Sequence, residues 1–256
     1  MPSSTASTMP WRISLAVALA LLAGTALAAE NEIADYDTCT ALVKRDPEAG
    51  FESAIAWRDA GGGNAARHCV ALALWALGQA KDAADRLEAL ARDMAEAEPY
   101  MRARLLDQAG LARLDGGNAR AAAATISAAL DLDPDNAELL IDRAEALAAA
   151  NAYWEAIDDL NRAIDLAPGR ADAYAFRAAA YRYVGSLELA IADANRAVAL
   201  APSDPSALLE RGNVRRLMGD AAGARADWLA VATLAPKTPA AEAARTNLER
   251  LDVKVE

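Results

Sequence analysis

The sequence predicts an all-α chain built as a tandem array of antiparallel helix hairpins, and three observations carry that reading. Pro134, Pro168, Pro202 and Pro236 stand 34 residues apart, like punctuation between equal units. Within the units, small residues recur at fixed places: eighth (Ala144, Ala178), twentieth (Ala156, Ala190) and twenty-seventh (Ala163, Ala197). Apolar residues are spaced three and four apart over two stretches of about 14 residues in each unit, the signature of paired amphipathic helices.

The stretch 137–204 shows the unit twice, AELLIDRAEALAAANAYWEAIDDLNRAIDLAPGR and ADAYAFRAAAYRYVGSLELAIADANRAVALAPSD. A turn former stands fifteenth (Asn151, Gly185), between the two helical stretches. The small eighth and twentieth residues let the helices cross closely, where a bulkier one would overpack the contact at about 1–3 kcal/mol. Proline at position 32 stops the second helix, and the residue before it is pushed out of the α region. The same register fits 103–136 and 205–238.

A 34-residue helix–turn–helix unit with these residues resembles the tetratricopeptide repeat (TPR). The resemblance implies a right-handed α-solenoid of antiparallel helix hairpins with a C-terminal capping helix, and a binding surface rather than a catalytic centre. The expected divisions are a signal peptide at 1–28, a divergent helical hairpin at 29–63, a degraded repeat with linker at 64–102, repeats at 103–136, 137–170, 171–204 and 205–238, and the capping helix at 239–256. The degraded unit keeps Ala71, Leu74, Gly78 and Ala83 in register, and Pro99 opens a long helix expected over 99–115.

At the amino end, Arg12 precedes an uncharged apolar run that closes on Ala26-Leu27-Ala28, the pattern of a secretory signal cut before Ala29, with Met1 or Met9 as the start. The expected destination is the periplasm; secretion, or anchoring by an uncleaved signal, is the alternative. Removing 1–28 takes away one cation and moves the net charge from −11 to −12. That surface repels phosphate backbones and anionic lipid, so neither nucleic-acid binding nor membrane insertion after cleavage is expected.

In an oxidising compartment the even cysteine count suggests a Cys39–Cys69 disulfide, with two buried free thiols as the other reading. Arginine at seven and aspartate at twenty-three recur as Arg143 with Asp159, Arg177 with Asp193, and Arg211 with Asp227. These are expected to be exposed intra-repeat ion pairs that set register; 103–136 lacks both partners, carrying Ala109 and Thr125. Asp131-Leu132-Asp133 mimics a calcium loop but lacks its glycine and glutamate, and one histidine, His68, cannot build a two-histidine metal site. No cofactor, metal or catalytic residue is expected, and Trp57, Trp75, Trp154 and Trp228 read as packing residues.

By the resemblance, ligands contact positions 2, 5, 9 and 12 of each first helix. Carried over by register, the candidate peptide groove comprises Asp107, Leu111, Ile141, Glu145, Arg182, Leu209, Asn213 and Arg216. It runs from acidic and apolar to basic. The lysine and asparagine that clamp a peptide carboxylate in chaperone-binding members are absent except for Asn213. The functional expectation is a periplasmic adaptor for a protein or peptide. A small-ligand receptor, an enzyme with an unrecognised pocket, and a self-stacking structural element remain the alternatives.

Overall fold

The computed structural model describes residues 35–94 and 98–252; the expected signal peptide lies outside them. The chain divides into two compact units, up to Ala76 and from Leu77 onward, so the segment 64–102 straddles the division.

In the first unit, α1 (Tyr36–Arg45), α2 (Pro47–Asp59) and α3 (Gly63–Ala76) pack on one another. Asp35 and Asp46 cap α1 and α2 by accepting from the Thr38 and Ala49 amides, satisfying donors that the helix cannot. Pro47 sits in the first turn of α2, where its missing N–H costs nothing. A Cys39–Cys69 disulfide joins α1 to α3, with 6.3 Å between the Cα atoms and both cysteines fully buried. His68 stacks on Tyr36 and its Nδ1 lies 2.7 Å from the tyrosine hydroxyl. That placement makes it a packing residue of the hairpin.

The second unit contains α4 (Ala80–Asp93), α5 (Pro99–Asp115), α6 (Ala119–Leu130), α7 (Ala137–Ala149), α8 (Tyr153–Leu166), α9 (Ala171–Tyr183), α10 (Leu187–Leu200), α11 (Pro205–Leu217), α12 (Ala221–Leu234) and α13 (Pro239–Asp252). Each helix packs on the next in sequence. The first helices α5, α7, α9 and α11 also touch the first helix that follows them, up to α13. They form one layer and expose its face along the array. On the last helix, Ala241 and Ala244 pack into the core and Asp252 pairs with Arg225, so α13 covers α11 and α12.

Position 15 adopts the left-handed backbone in five units: Gly78, Gly117, Gly185, Gly219 and Asn151. Asn151, at φ 64°, is the only non-glycine with positive φ among the described residues. This geometry ends the first helix and turns the chain back, and asparagine tolerates it better than any other residue with a Cβ.

The crossing inside each hairpin is tighter than the alanines alone indicate. Gly110 and Gly212 occupy position eight where the facing position 24 is bulky, Ile126 and Trp228. A Cβ on Gly212 would lie 2.5 Å from the Trp228 indole nitrogen. Where position eight is alanine, the facing residue is Leu160 or Ala194. Trp228 is fully buried and anchors the carboxyl-terminal core with Ala224, Val231 and Ala244. Trp154, by contrast, is 61% exposed and does not pack as its helical spacing suggested, because it opens α8 on the solvent side of the turn.

Gly212→Ala should lower stability by about 1–3 kcal/mol through overpacking against Trp228. The pair G212A with Trp228→Leu should recover part of that loss in chemical-denaturation curves, because the facing volume is reduced.

Candidate functional site

The three arginine–aspartate pairs form between the helices of their hairpins. Arg143 donates to Asp159 through Nε (2.7 Å) and Nη2 (2.6 Å), Arg177 to Asp193 at 2.7 and 2.9 Å, and Arg211 to Asp227 at 3.0 and 2.6 Å. They are not exposed pairs. The aspartates are buried, with only 5, 8 and 3% of their surface exposed. Each carboxylate is therefore held by a bidentate guanidinium in a low-dielectric seam.

The sequence reading missed a third partner. Arg143 Nη1 donates to Ser127 at 3.1 Å and Arg177 Nη1 to Asn161 at 2.7 Å, both at position 25 of the preceding repeat. Each of these two rungs therefore spans a repeat boundary. At Asp227 the extra donor is Arg215, at 2.8 Å. Where 103–136 lacks the rung, Arg113 and Thr125 instead bond Glu88 of α4, both at 3.0 Å.

Along the exposed face of the first helices, the groove residues separate into two kinds. Ile141 is 2% exposed and belongs to the core, so it offers nothing to a ligand. Arg182 is bound bidentately by Glu210 (2.6 and 3.1 Å) and lies 4.4 Å over the Tyr183 ring. Glu210 is itself buried, so this expected basic end is an internal ion pair. Asn213 contacts Glu210 at 3.4 Å and accepts from Asn247 at 2.9 Å. Leu209 packs against the carboxyl-terminal core, Leu111 is half-buried, and Arg216 is exposed.

The acidic end is stronger than expected. Asp107 on α5 and Asp142 on α7 bring two half-buried carboxyls close enough for each to perturb the other. Burial first, then the Glu138 charge, pushes the Asp107 carboxyl up to about 6. Burial first, then Asp107 itself, pushes Asp142 up to about 7. Glu145 is raised too, by burial and by Asp115. One Asp107 oxygen is buried without a hydrogen-bond partner. The nearby cations, Arg104 and Arg170, offset this only in part, and Arg170 is itself bound bidentately by Asp172. Two neighbouring half-buried carboxyls, with further carboxylates beside them, leave a site short of positive charge. Asp142, at position six, lay outside the positions that the resemblance nominated.

Among the described residues no grouping of three or more acidic, histidine or cysteine side chains could hold a metal ion. No described helix is long and apolar enough to cross a membrane.

No protein-family model matches the chain, and no curated protein matches it. Solved structures do. The chain is similar to TTC0263, a thermophilic TPR protein in Thermus thermophilus, at 18% identity and a TM-score of 0.60, over 74% of this chain and 98% of that one. It is also similar to residues 41 to the end of MamA from Desulfovibrio magneticus RS-1, at 22% identity and a TM-score of 0.55, over 73% of this chain and 97% of that one.

Two measurements follow from this geometry. Arg177→Ala should cost roughly 3–5 kcal/mol, because it leaves Asp193 buried without its cation. A double-mutant cycle with Asp193→Asn checks that the loss belongs to the pair. The folded state raises the Asp107 and Asp142 pKa values, so their contribution to stability is complete below about pH 4 and is lost as pH rises through 6 and 7. Asp142→Asn should therefore flatten that decline, with its melting temperature gaining on the parent at pH 8 more than at pH 5.

The repeat register, the layered helix packing and the two structural likenesses together give this chain the fold of a tetratricopeptide-repeat protein.

Proposed function

We propose that the chain is a non-enzymatic scaffold that binds a protein or peptide along the first-helix face of its second unit, through a segment carrying lysine or arginine. The Asp107–Asp142 pair carries the reading. Two half-buried carboxyls facing each other from successive first helices keep an energetic cost that a ligand cation would relieve. Glu138 and Glu145 widen the same acidic field, which also speeds the encounter with a basic partner. The face suits an extended or helical peptide laid across the first helices, one of the modes by which grooves take peptides.

Arg182 drops out of this proposal, since Glu210 already binds it, and Arg216 is left as the exposed cation of the expected basic half. The partner is thus basic where it meets α5 and α7. We also propose that the protein works outside the cytoplasm, in the periplasm, on the strength of the apolar run after Arg12 and the paired cysteines.

Fluorescence anisotropy with a labelled lysine- and arginine-rich peptide tests the binding face. Affinity should be higher at pH 8 than at pH 5.5, where the carboxyl pair is protonated. Asp107→Asn combined with Asp142→Asn should weaken it about tenfold or more. Equal binding of an acidic peptide, or no change in the double variant, would remove the acidic face as the site. Cell fractionation with intact-mass measurement checks the location: an extracytoplasmic species beginning at Ala29 is expected, and a cytoplasmic chain retaining residues 1–28 refutes it.

A further inference from the structure

A cleft of about 390 Å³ lies in the second unit at the boundary that lacks the arginine–aspartate rung. Thr125 and Glu88 line it, and these are the residues that hold positions 23 and 25 where other boundaries carry the rung's carboxylate and its polar acceptor. With Ala109 at position seven, no guanidinium crosses this boundary from the usual place. Arg113 answers Glu88 there instead, from position eleven.

Its lining is chemically asymmetric. Glu88 is neutralised, accepting from Arg113 Nε and from the Thr125 hydroxyl. Two further cations remain at the walls, Arg92 from α4 and Arg102 from α5. The Arg102 Nε–H is buried and has no hydrogen-bond acceptor. A buried, unanswered donor on a permanently charged group is costly unless something accepts from it. The remaining wall is apolar, with Leu106 and Ala124 facing the space.

We infer that this cleft binds a small aliphatic carboxylate. Arg102 supplies guanidinium N–H donors at the cleft wall, a group whose paired donors match the two oxygens of a carboxylate. Arg92 adds positive field at the mouth, and a short hydrocarbon body lies against Leu106 and Ala124. The site draws on α4, α5 and α6, and it is separate from the acidic face at Asp107 and Asp142: its ligand is an anion and not a basic peptide.

Isothermal titration calorimetry on the purified full chain tests this with 3-methylbutanoate as probe, its uncharged amide, inorganic phosphate, and an acetylated Ala-Leu dipeptide with a free carboxyl end. The acid should bind saturably and the amide should not. Arg102→Gln should lose about tenfold or more in affinity. The double variant A109R with T125D puts a guanidinium and a carboxylate at positions seven and twenty-three beside the cleft and should abolish binding while its circular-dichroism melt stays cooperative. Arg120→Gln, an exposed change on α6 outside the cleft, should bind as the parent does. Equal binding of acid and amide, of phosphate and acid, or of parent and R102Q overturns the assignment. So does binding by the dipeptide alone, which would make the cleft a peptide-end pocket, and so does the absence of saturable heat with every probe.

Discussion

The close crossing of two helices at a single small residue is the constraint on which the rest of this array depends. Position eight is alanine or glycine in each full repeat, and where it is glycine an added Cβ would run into the Ile126 or Trp228 side chain. Bringing the backbones this close sets positions seven and twenty-three at one level, where a guanidinium spans the gap to a carboxylate. It also holds the first helices in one layer, so that Asp107 and Asp142 on different hairpins become neighbours. Rung and acidic pair are both consequences of the same contact.

The two electrostatic features run in opposite directions. In the rungs, each buried aspartate meets a bidentate partner, and desolvation is answered by geometry that holds the hairpin in register. On the first-helix face, like charges approach without an equal number of cations, and Arg104 and Arg170 relieve them only in part. A chain that neutralises its other buried carboxylates so thoroughly has left this pair exposed to ligand and pH. Departures of this kind from local consistency are where folds carry function.

Much of the architecture was legible because a 34-residue period repeats the same local physics. The turn at position 15, the helix between Pro99 and Asp115 and the partners of Arg143, Arg177 and Arg211 all lie within one unit's own pattern. What stayed hidden lies between units. Ser127 and Asn161 differ in type and answer an arginine in the next repeat, and the asparagine that recurs at Asn195 does not by itself say which side chain it meets. Glu210 reaches Arg182 across 28 residues for the same reason. Ile141 was placed in the groove by register alone, yet the stagger of successive hairpins turns it inward. Asp142 needs the spatial neighbour Asp107 to become noticeable, and nothing in the linear spacing of the two reports that they meet.

The rungs that cross a repeat boundary give the array a grammar of permitted neighbours. Two repeats bearing arginine at position seven follow ones that offer it an acceptor at position 25, Ser127 and Asn161. Excising 137–170 would seat Arg177 beside Ser127, and excising 103–136 would seat Arg143 beside Glu88, so in either case the new junction still reads correctly. Units of this chain can thus be lost or duplicated without leaving a charge stranded at the seam, which makes its length the property most open to evolutionary change.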